Sequence, residues 1–521
     1  VGLLFGSMVP GLLRMLLAVW DSSVWRSLLH DPQWSMAWRI TLLSSVASTL
    51  LALLFAVAVV TLHYPGAGWV ALQRRLPLTL SVPHAAFAIG LFFLLAPSGW
   101  LARALANLVG WSSPPDWVTV QDPWGLSLTL ALALKESIFL LWVLAAMLNH
   151  QEVSRQLVVG QSLGYRPATV WRRIVWPQIV PRLRWALLAV FAYGLSVVDM
   201  ALILGPSTPP TLAVLAWQWL TDPDPAQQAR GYAASMALLG MLVLAVLLYR
   251  VFGWLYRAVP SYPTGVRLRA WPLSRLLQRI PVLMSSAAVV GVLLVWSVAE
   301  AWFFPALWPD AWTLRYWAQA NLQPLWTTLL IGLATSLAAL PIALFWLEWG
   351  PRRWQSLVLL PLMVPVLPLA AGQYATLLAW QADGTWLAVV WSHGLWVLPY
   401  MVLTLAGPYR AFDTRMMTTA RTLGCSELGA CLRVKWPMLL RPILASLAVG
   451  FAVSVAQYVP TLFAGAGRVV TVTTEAVALS AGGNRSVLAV QAVLQMMLPM
   501  AMFACMLTLS WWLGRCRQGL R

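Results

Sequence analysis

The chain has 521 residues, of which 60% are hydrophobic and only 10% charged, with a mean hydropathy of +0.75. A soluble globular chain carries about a quarter charged residues, so this composition excludes a soluble enzyme or water-borne binding module and points to a polytopic membrane protein. The net charge of +18 does not signal nucleic acid, because the basic residues stand singly between apolar segments and form no stripe.

In chain order, apolar segments predict spans over about residues 2–20, 38–62, 79–97, 123–148, 183–205 and 231–256. A second set follows at about 280–303, 325–347, 356–378, 385–407, 443–465 and 486–513. Each approaches the roughly 20 apolar residues that a bilayer demands. The expected fold is all-α and polytopic, with about twelve transmembrane helices. The first segment opens at Val1 without a cleavable signal pattern, so an initiator and a short leader are expected ahead of it.

Arginine and lysine set the orientation, because the side richer in them stays in the cytoplasm. Arg74 and Arg75, six arginines from Arg155 to Arg184, six from Arg250 to Arg279, Arg352 and Arg353, six basic residues from Arg410 to Arg441, and Arg515, Arg517 and Arg521 make 25 of the 34. All fall on one side of a twelve-span chain with both termini in the cytoplasm. Cys425, Cys431, Cys505 and Cys516 show no metal-ligand spacing.

The two halves repeat each other. Thr41-Leu-Leu-Ser-Ser-Val-Ala-Ser matches Thr328-Leu-Leu-Ile-Gly-Leu-Ala-Thr at an offset of 287, and Val82-Pro83 with Gly90 matches Val364-Pro365 with Gly372 at 282. The offset then falls to 260, which locates a 22-residue insertion in the external segment Ser98 to Asp122. Residues 1–256 and 280–521 are expected to form two six-helix repeats, joined by a cytoplasmic linker over 257–279 that holds Pro260, Pro263 and Pro272. An even number of spans in each makes the repeats parallel, related by an axis along the membrane normal.

The strongest repeated stretch is Gln161-Ser-Leu-Gly-Tyr-Arg-Pro-Ala-Thr-Val-Trp-Arg-Arg-Ile-Val-Trp-Pro177, which returns as Arg421-Thr-Leu-Gly-Cys-Ser-Glu-Leu-Gly-Ala-Cys-Leu-Arg-Val-Lys-Trp-Pro437. Gly164 and Gly424, Arg173 and Arg433, and Pro177 and Pro437 superpose without a gap. Each copy reads as two short helices around a turn, with the glycine at a positive-φ position that ends the first helix. The proline then enters the following span, where a missing N–H costs little.

This pair of loops resembles the cytoplasmic Glu-Ala-Ala motif of the permease subunits of ABC importers. The likeness extends to the fused branch for thiamine, ferric iron and similar cargo, which carries two six-helix copies in one polypeptide. The Glu-Ala-Ala triplet falls on Val158-Val159-Gly160 and Thr418-Thr419-Ala420, where only Ala420 keeps the family letter. The resemblance implies that residues 158 to 164 and 418 to 424 dock on two copies of a cytoplasmic ATPase. Val158, Gly160, Ser162, Leu163, Gly164, Arg173 and Pro177 form one docking set, and Thr418, Ala420, Thr422, Leu423, Gly424, Arg433 and Pro437 the other.

A nucleotide-binding chain needs a glycine-rich loop ending in Gly-Lys and Ser or Thr. The two lysines, Lys135 and Lys435, do not follow glycine, so the chain is expected to be no enzyme and to hold no cofactor. ATP and Mg belong to the partner.

Ionisable groups at membrane depth are costly and usually face a cavity or a partner. Lys135 and Glu136 lie inside the fourth predicted span, about 100° apart on a helix. Asp199 lies late in the fifth and either meets a cation or pairs with Lys135. In the second half Gln373, Tyr374, His393, Tyr400, Gln457 and Tyr458 supply neutral polar groups at comparable depth. A lone histidine such as His393 is more often hydrogen-bonded in place than a ligand. These nine residues are the expected substrate path. The 33 tryptophans read chiefly as interfacial anchors.

The reading is a permease subunit of an ABC importer in the bacterial inner membrane, supplied by an external solute-binding protein, with a small thiamine-like organic cation as the favoured cargo. Ferric iron, a polyamine or an oxyanion are alternatives, as is an ion-gradient-driven secondary transporter that would use Glu136 and Asp199.

Overall fold

The computed structural model describes residues 2, 6, 8–148, 151–258 and 282–515. The linker expected over 257–279 lies almost wholly outside them, as does Cys516.

The first half contains α1 (Val9–Ala18), α2 (Trp34–His63), α3 (Ala67–Leu80), α4 (His84–Leu95), α5 (Trp100–Val109), α6 (Leu126–Leu148), α7 (Gln151–Ser162), α8 (Trp176–Ser196), α9 (Asp199–Leu204), α10 (Leu212–Leu220) and α11 (Pro225–Ala258). The second contains α12 (Val282–Ser297), α13 (Gln323–Trp349), α14 (Val366–Ala379), α15 (Trp386–Ala411), α16 (Thr414–Thr422), α17 (Leu440–Ala456), α18 (Val459–Gly465), α19 (Val472–Ser480) and α20 (Arg485–Arg515). A two-stranded antiparallel ribbon, β1 (Ala299–Ala301) with β2 (Ala311–Trp312), follows α12.

Among the described residues eight helices are long and apolar enough to cross a membrane, or nine if the bent pair Glu427–Met438 and Leu440–Ala456, turned by 80°, counts as one span. Val9–Ala18, Met284–Ser297 and Val366–Ala379 are shorter apolar helices. Every predicted segment therefore contains a helix, and among the described residues eight, or nine with the bent pair, have by themselves the length and composition of a span. The shortfall has local causes. The predicted 356–378 segment begins as a tight 3-10 stretch, Arg352–Leu362, and becomes α-helical only at Val366, after Pro365, because a proline biases its predecessor away from helix. The predicted 79–97 segment likewise starts at His84, after Pro83, but its helix continues far enough to count among the eight.

The predicted 183–205 and 443–465 segments are each interrupted. The backbone is extended at Val197 (ψ 127°) and Gln457 (ψ 119°), so α8 gives way to α9 and α17 to α18 at positions 260 apart.

Packing recurs at the same offsets. Thr41 Oγ1 accepts from the Leu212 N–H at 2.8 Å, and Thr328 Oγ1 from the Val472 N–H at 2.8 Å. Each bond satisfies an otherwise orphan donor at the start of α10 or α19. The halves interlock through small residues. A Cβ on Gly11 of α1 would stand 1.8 Å from the Gly372 carbonyl oxygen of α14, and one on Gly90 of α4 would stand 2.5 Å from Val289 of α12. Such contacts let helix backbones approach closely.

The 98–122 insertion is clamped onto the ribbon. Arg103 of α5 is buried and donates to the carbonyl oxygens of Ser98 (3.0 Å), Phe303 (2.7 Å), Ala306 (2.8 Å) and Trp302 (3.0 Å), with its guanidinium 4.9 Å from the Trp302 ring centre.

Candidate functional site

Two hairpins and a polar interior make up the site. In the first hairpin, α7 ends in a Schellman motif: the Tyr165 N–H donates to the Gly160 carbonyl (3.0 Å) and the Gly164 N–H to that of Gln161 (2.9 Å). In the second, Cys425 donates to Ala420 (3.1 Å) and Gly424 to Arg421 (3.0 Å). Gly164 and Gly424 have φ of 80° and 89°, the left-handed conformation this motif requires. Ser162 and Thr422 each bond back three residues, to the carbonyls of Val159 and Thr419, at 2.8 Å.

A one-turn helix follows each glycine, then a five-residue π-turn, Trp171–Val175 or Cys431–Lys435, which carries Arg173 or Arg433. Pro177 and Pro437 stand at the start of the next helix. The arms of the first hairpin meet at a buried contact. Gly160 has no room for a Cβ beside Val170, whereas Ala420 and Ala430 occupy the matching positions. Gly with Val and Ala with Ala fill that space with little change in volume.

Opposite this contact the hairpins are exposed. Leu163 and Leu423, at matching positions, are 63% and 80% exposed, and Val158 is 66% exposed. Thr418, Gly164, Gly424, Arg173, Arg433 and Pro177 are exposed as well, and Pro437 is half-buried. Apolar residues held out on a turn are the kind of surface that marks an interaction with protein or membrane.

The hairpins are anchored by different chemistry. Tyr64 clasps the first: its hydroxyl donates to the Leu148 carbonyl (3.1 Å) and bonds to Ser154, and its ring meets Trp171, which meets Trp176. An ion pair pins the second, Lys435 Nζ to Glu348 Oε2 at 2.7 Å, with Nζ 4.3 Å from the Tyr409 ring centre. Trp436 Nε1 donates to the Tyr409 hydroxyl at 2.6 Å and Trp349 Nε1 to Glu427 at 3.1 Å.

In the interior, Lys135 and Glu136 point to the two sides of the break before α4. Lys135, 3% exposed, donates to the carbonyls of Val82 (2.5 Å) and Thr79 (3.4 Å). The expected alternative, a pair with Asp199, is not formed. Glu136 Oε1 lies 3.2 Å from His84 Nε2, and the His84 and Tyr193 rings are 4.8 Å apart. Asp199, 6% exposed, opens α9, where backbone N–H groups of Asp199 and Met200 hold its carboxylate. The positive end of a helix favours that placement. His84 acts on Asp199 electrostatically, Tyr193 and Tyr458 feel the Asp199 charge, and Tyr400 feels Glu136. The charges come from the first half, and Tyr400 and Tyr458 from the second.

The other expected path residues form a neutral network. His393 is held by Ser454 (Nδ1, 2.8 Å) and Thr461 (Nε2, 2.9 Å). Gln457 Nε2 donates to the His393 carbonyl at 3.1 Å, and Ser392 donates to Gln373 at 2.8 Å. Gln373 Nε2 and Gln457 Oε1 are buried with no partner. Tyr374 packs on Phe463, ring centres 5.3 Å apart. Sequence reasoning missed His84 and Tyr193. The signal for His84 was its place directly after the repeated Val82-Pro83 landmark, where the second half has Val366.

Comparison with known proteins places this geometry in a family. No family model matches the chain. It is 40% identical over 524 residues to the inner membrane ABC transporter permease protein YnjC of Escherichia coli (strain K12), covering 100% of this chain and 97% of that protein. It is 27% identical to the thiamine transport system permease protein ThiP of the same organism, over 85% of this chain and 81% of the relative. A third relative, the molybdenum transport system permease protein ModB of Mycobacterium tuberculosis, is 29% identical and matched over 35% of this chain and 77% of its own length. Permease subunits are not enzymes, and ATP hydrolysis lies in a separate subunit. At 40% identity over its full length to the first of these relatives, this chain belongs to the permeases of ABC transporters.

Proposed function

We propose that the chain is the fused permease subunit of an ABC importer of the inner membrane. Twelve spans, as two parallel six-helix repeats over 1–256 and 280–521 with a cytoplasmic linker at 257–279, would enclose one path with both termini in the cytoplasm. The matched Thr41 and Thr328 bonds, the matched breaks after α8 and α17, and the reciprocal Gly11 and Gly90 crossings support the repeat. The ModB match supports it too, since a third of this chain covers most of that polypeptide.

The observation that carries the coupling role is the duplicated hairpin: one Schellman motif, one left-handed glycine and one π-turn, repeated at 260 residues with an exposed leucine on each. Each hairpin docks on one copy of a cytoplasmic ABC ATPase. ATP-driven closure of the ATPase pair moves the hairpins together and rocks the halves about their shared axis, which opens the interior outward to receive cargo from a solute-binding protein. Reset opens it inward.

The cargo this interior suits is a small organic cation of the thiamine type. Glu136 and Asp199 supply negative charge at depth, and Tyr193, Tyr400 and Tyr458, which feel that charge, bring rings of the kind that favour cations. The ThiP relative points the same way.

Co-production with its ABC ATPase, purification in mild detergent and measurement of the complex's mass test the coupling role. One copy of this chain with two ATPase copies is expected. A chain that comes away alone under every nucleotide condition would refute the docking role.

A further inference from the structure

The two hairpins share a backbone but not an attachment, and this difference goes beyond the docking role on which the following rests. In the second hairpin the Lys435 ammonium, 8% exposed, meets Glu348 in the last turn of α13 and lies against Tyr409 in the last turn of α15. Phe412, 5.6 Å away, adds a second ring. The Glu348 carboxylate also engages Tyr409 and Cys431. The π-turn and the ends of two long helices are thereby tied at one point, and the Trp436 and Trp349 bonds flank it.

At the corresponding places the first hairpin has Val175 and Thr61. Val175 is buried among apolar groups, and the Thr61 hydroxyl bonds back to its own helix at Val57 (2.9 Å). Among the described residues, the ties of this hairpin include the neutral Tyr64 hydroxyl and a stack of aromatic rings. Aromatic pairs hold position weakly, because their geometry adds only a modest attraction beyond the area they bury. A buried ion pair at 2.7 Å does not, because breaking it leaves two uncompensated charges.

We propose that Lys435 and Glu348 are positioning residues for energy coupling: their ion pair is the stiff strut that makes the second hairpin move as one body with α13 and α15, while the first hairpin yields, so the two docking sites transmit ATP-driven motion unequally.

The test uses the full chain assembled with its ATPase, in a background where Cys425, Cys505 and Cys516 are alanine and the buried Cys431, which engages Glu348, is kept. Spin labels at Thr221 and Ala481, exposed and at matching positions in the two halves, report the distance change on trapping with ADP and vanadate, and ATP hydrolysis is measured on the same samples. Lys435→Met is expected to keep hydrolysis within about twofold while the distance change falls to under about a third. The swap Lys435→Glu with Glu348→Lys is expected to restore it. Should Lys435→Met fail to assemble, Glu348→Gln keeps the size and hydrogen bonding but removes the charge, and at least a twofold smaller distance change is expected.

A full distance change in Lys435→Met, or in Glu348→Gln where that variant decides, overturns the strut. An equal loss in Tyr64→Phe overturns the inequality between the hairpins. Failure of the unsubstituted chain to bind the ATPase overturns the docking role and the strut with it.

Discussion

Replacing Gly424 tests the hairpin at its most local point. Its φ of 89° is left-handed, and a Cβ added there would meet nothing within 4 Å, so the cost of a side chain is purely one of backbone conformation. An L-residue in that conformation costs about 1–2 kcal/mol, and asparagine adopts it most readily. A β-branched residue fits least well. At the turn itself the backbone is held by the two Schellman bonds, while the ties of Lys435, Trp436 and Glu427 lie farther along the hairpin, so the strain falls on the turn. Each 1.4 kcal/mol passed to the docking equilibrium weakens ATPase binding about tenfold. Titration of the ATPase against the reconstituted chain is expected to give up to about tenfold weaker binding for Gly424→Val, and nearly unchanged binding for Gly424→Asn. The same order should hold at Gly164. Equal effects of valine and asparagine, or none from valine, would refute the conformational argument.

Other substitutions separate cargo from scaffold. With thiamine as the probe, Asp199→Asn should raise the concentration for half-maximal stimulation of hydrolysis at least about tenfold, the loss of a charged partner; an unchanged value would remove Asp199 from the cargo site. Glu136→Gln should act in the same direction but less, because His84 already engages that carboxylate. Thr41→Val and Thr328→Val each strand a backbone N–H, which costs about 1–3 kcal/mol; both should lower the thermal unfolding temperature in detergent, and indifference in both would argue against the caps. Lys135→Met frees the Thr79 and Val82 carbonyls and should reduce thermal stability without altering the probe's half-maximal concentration.

Glycine and proline landmarks were legible because they act on the backbone within a few residues. Gly164 and Gly424 fall at the left-handed turns, and Pro177 and Pro437 at the following helix starts. Hydropathy located the apolar segments but not their interruptions. Val197 and Val198 are as apolar as the helix around them, so nothing in composition marks the extended backbone at that point, while Gln457 and Tyr458 drew attention for polarity and not as a break. Side-chain partners were the least legible. Lys435 stood out only as a lysine lacking a nucleotide motif, because its partner Glu348 lies 87 residues earlier. Similarly, the partner of Glu136 was an unremarked histidine 52 residues away.

Those long-range partners give the repeated fold its asymmetry. A duplicated backbone sets two hairpins and two broken helices at equivalent positions, and by itself would make a path with identical sides. Substitution has then divided the labour. Where the first half has His84, Glu136 and Asp199, the second has Val366, Trp396 and Val459; where the second has Lys435, the first has Val175. Under the proposed function, charge for the cargo sits on the half whose hairpin is held by rings, and charge for transmission on the half that carries Lys435 and Glu348. Conformational change needs two states of comparable energy, and a buried charge at both the hairpin and the interior of one half would bias each by its own desolvation. Keeping them in separate halves lets cargo charge act on one side of the path while the strut on the other responds to the ATPase. A Val175→Lys, Thr61→Glu variant carries this argument to measurement. Giving the first hairpin its own ion pair should make the two docking sites alike, with a distance change at Thr221 and Ala481 no longer sensitive to Lys435→Met alone. Continued full sensitivity to Lys435→Met in that variant would show that the strut's effect does not depend on the difference between the hairpins.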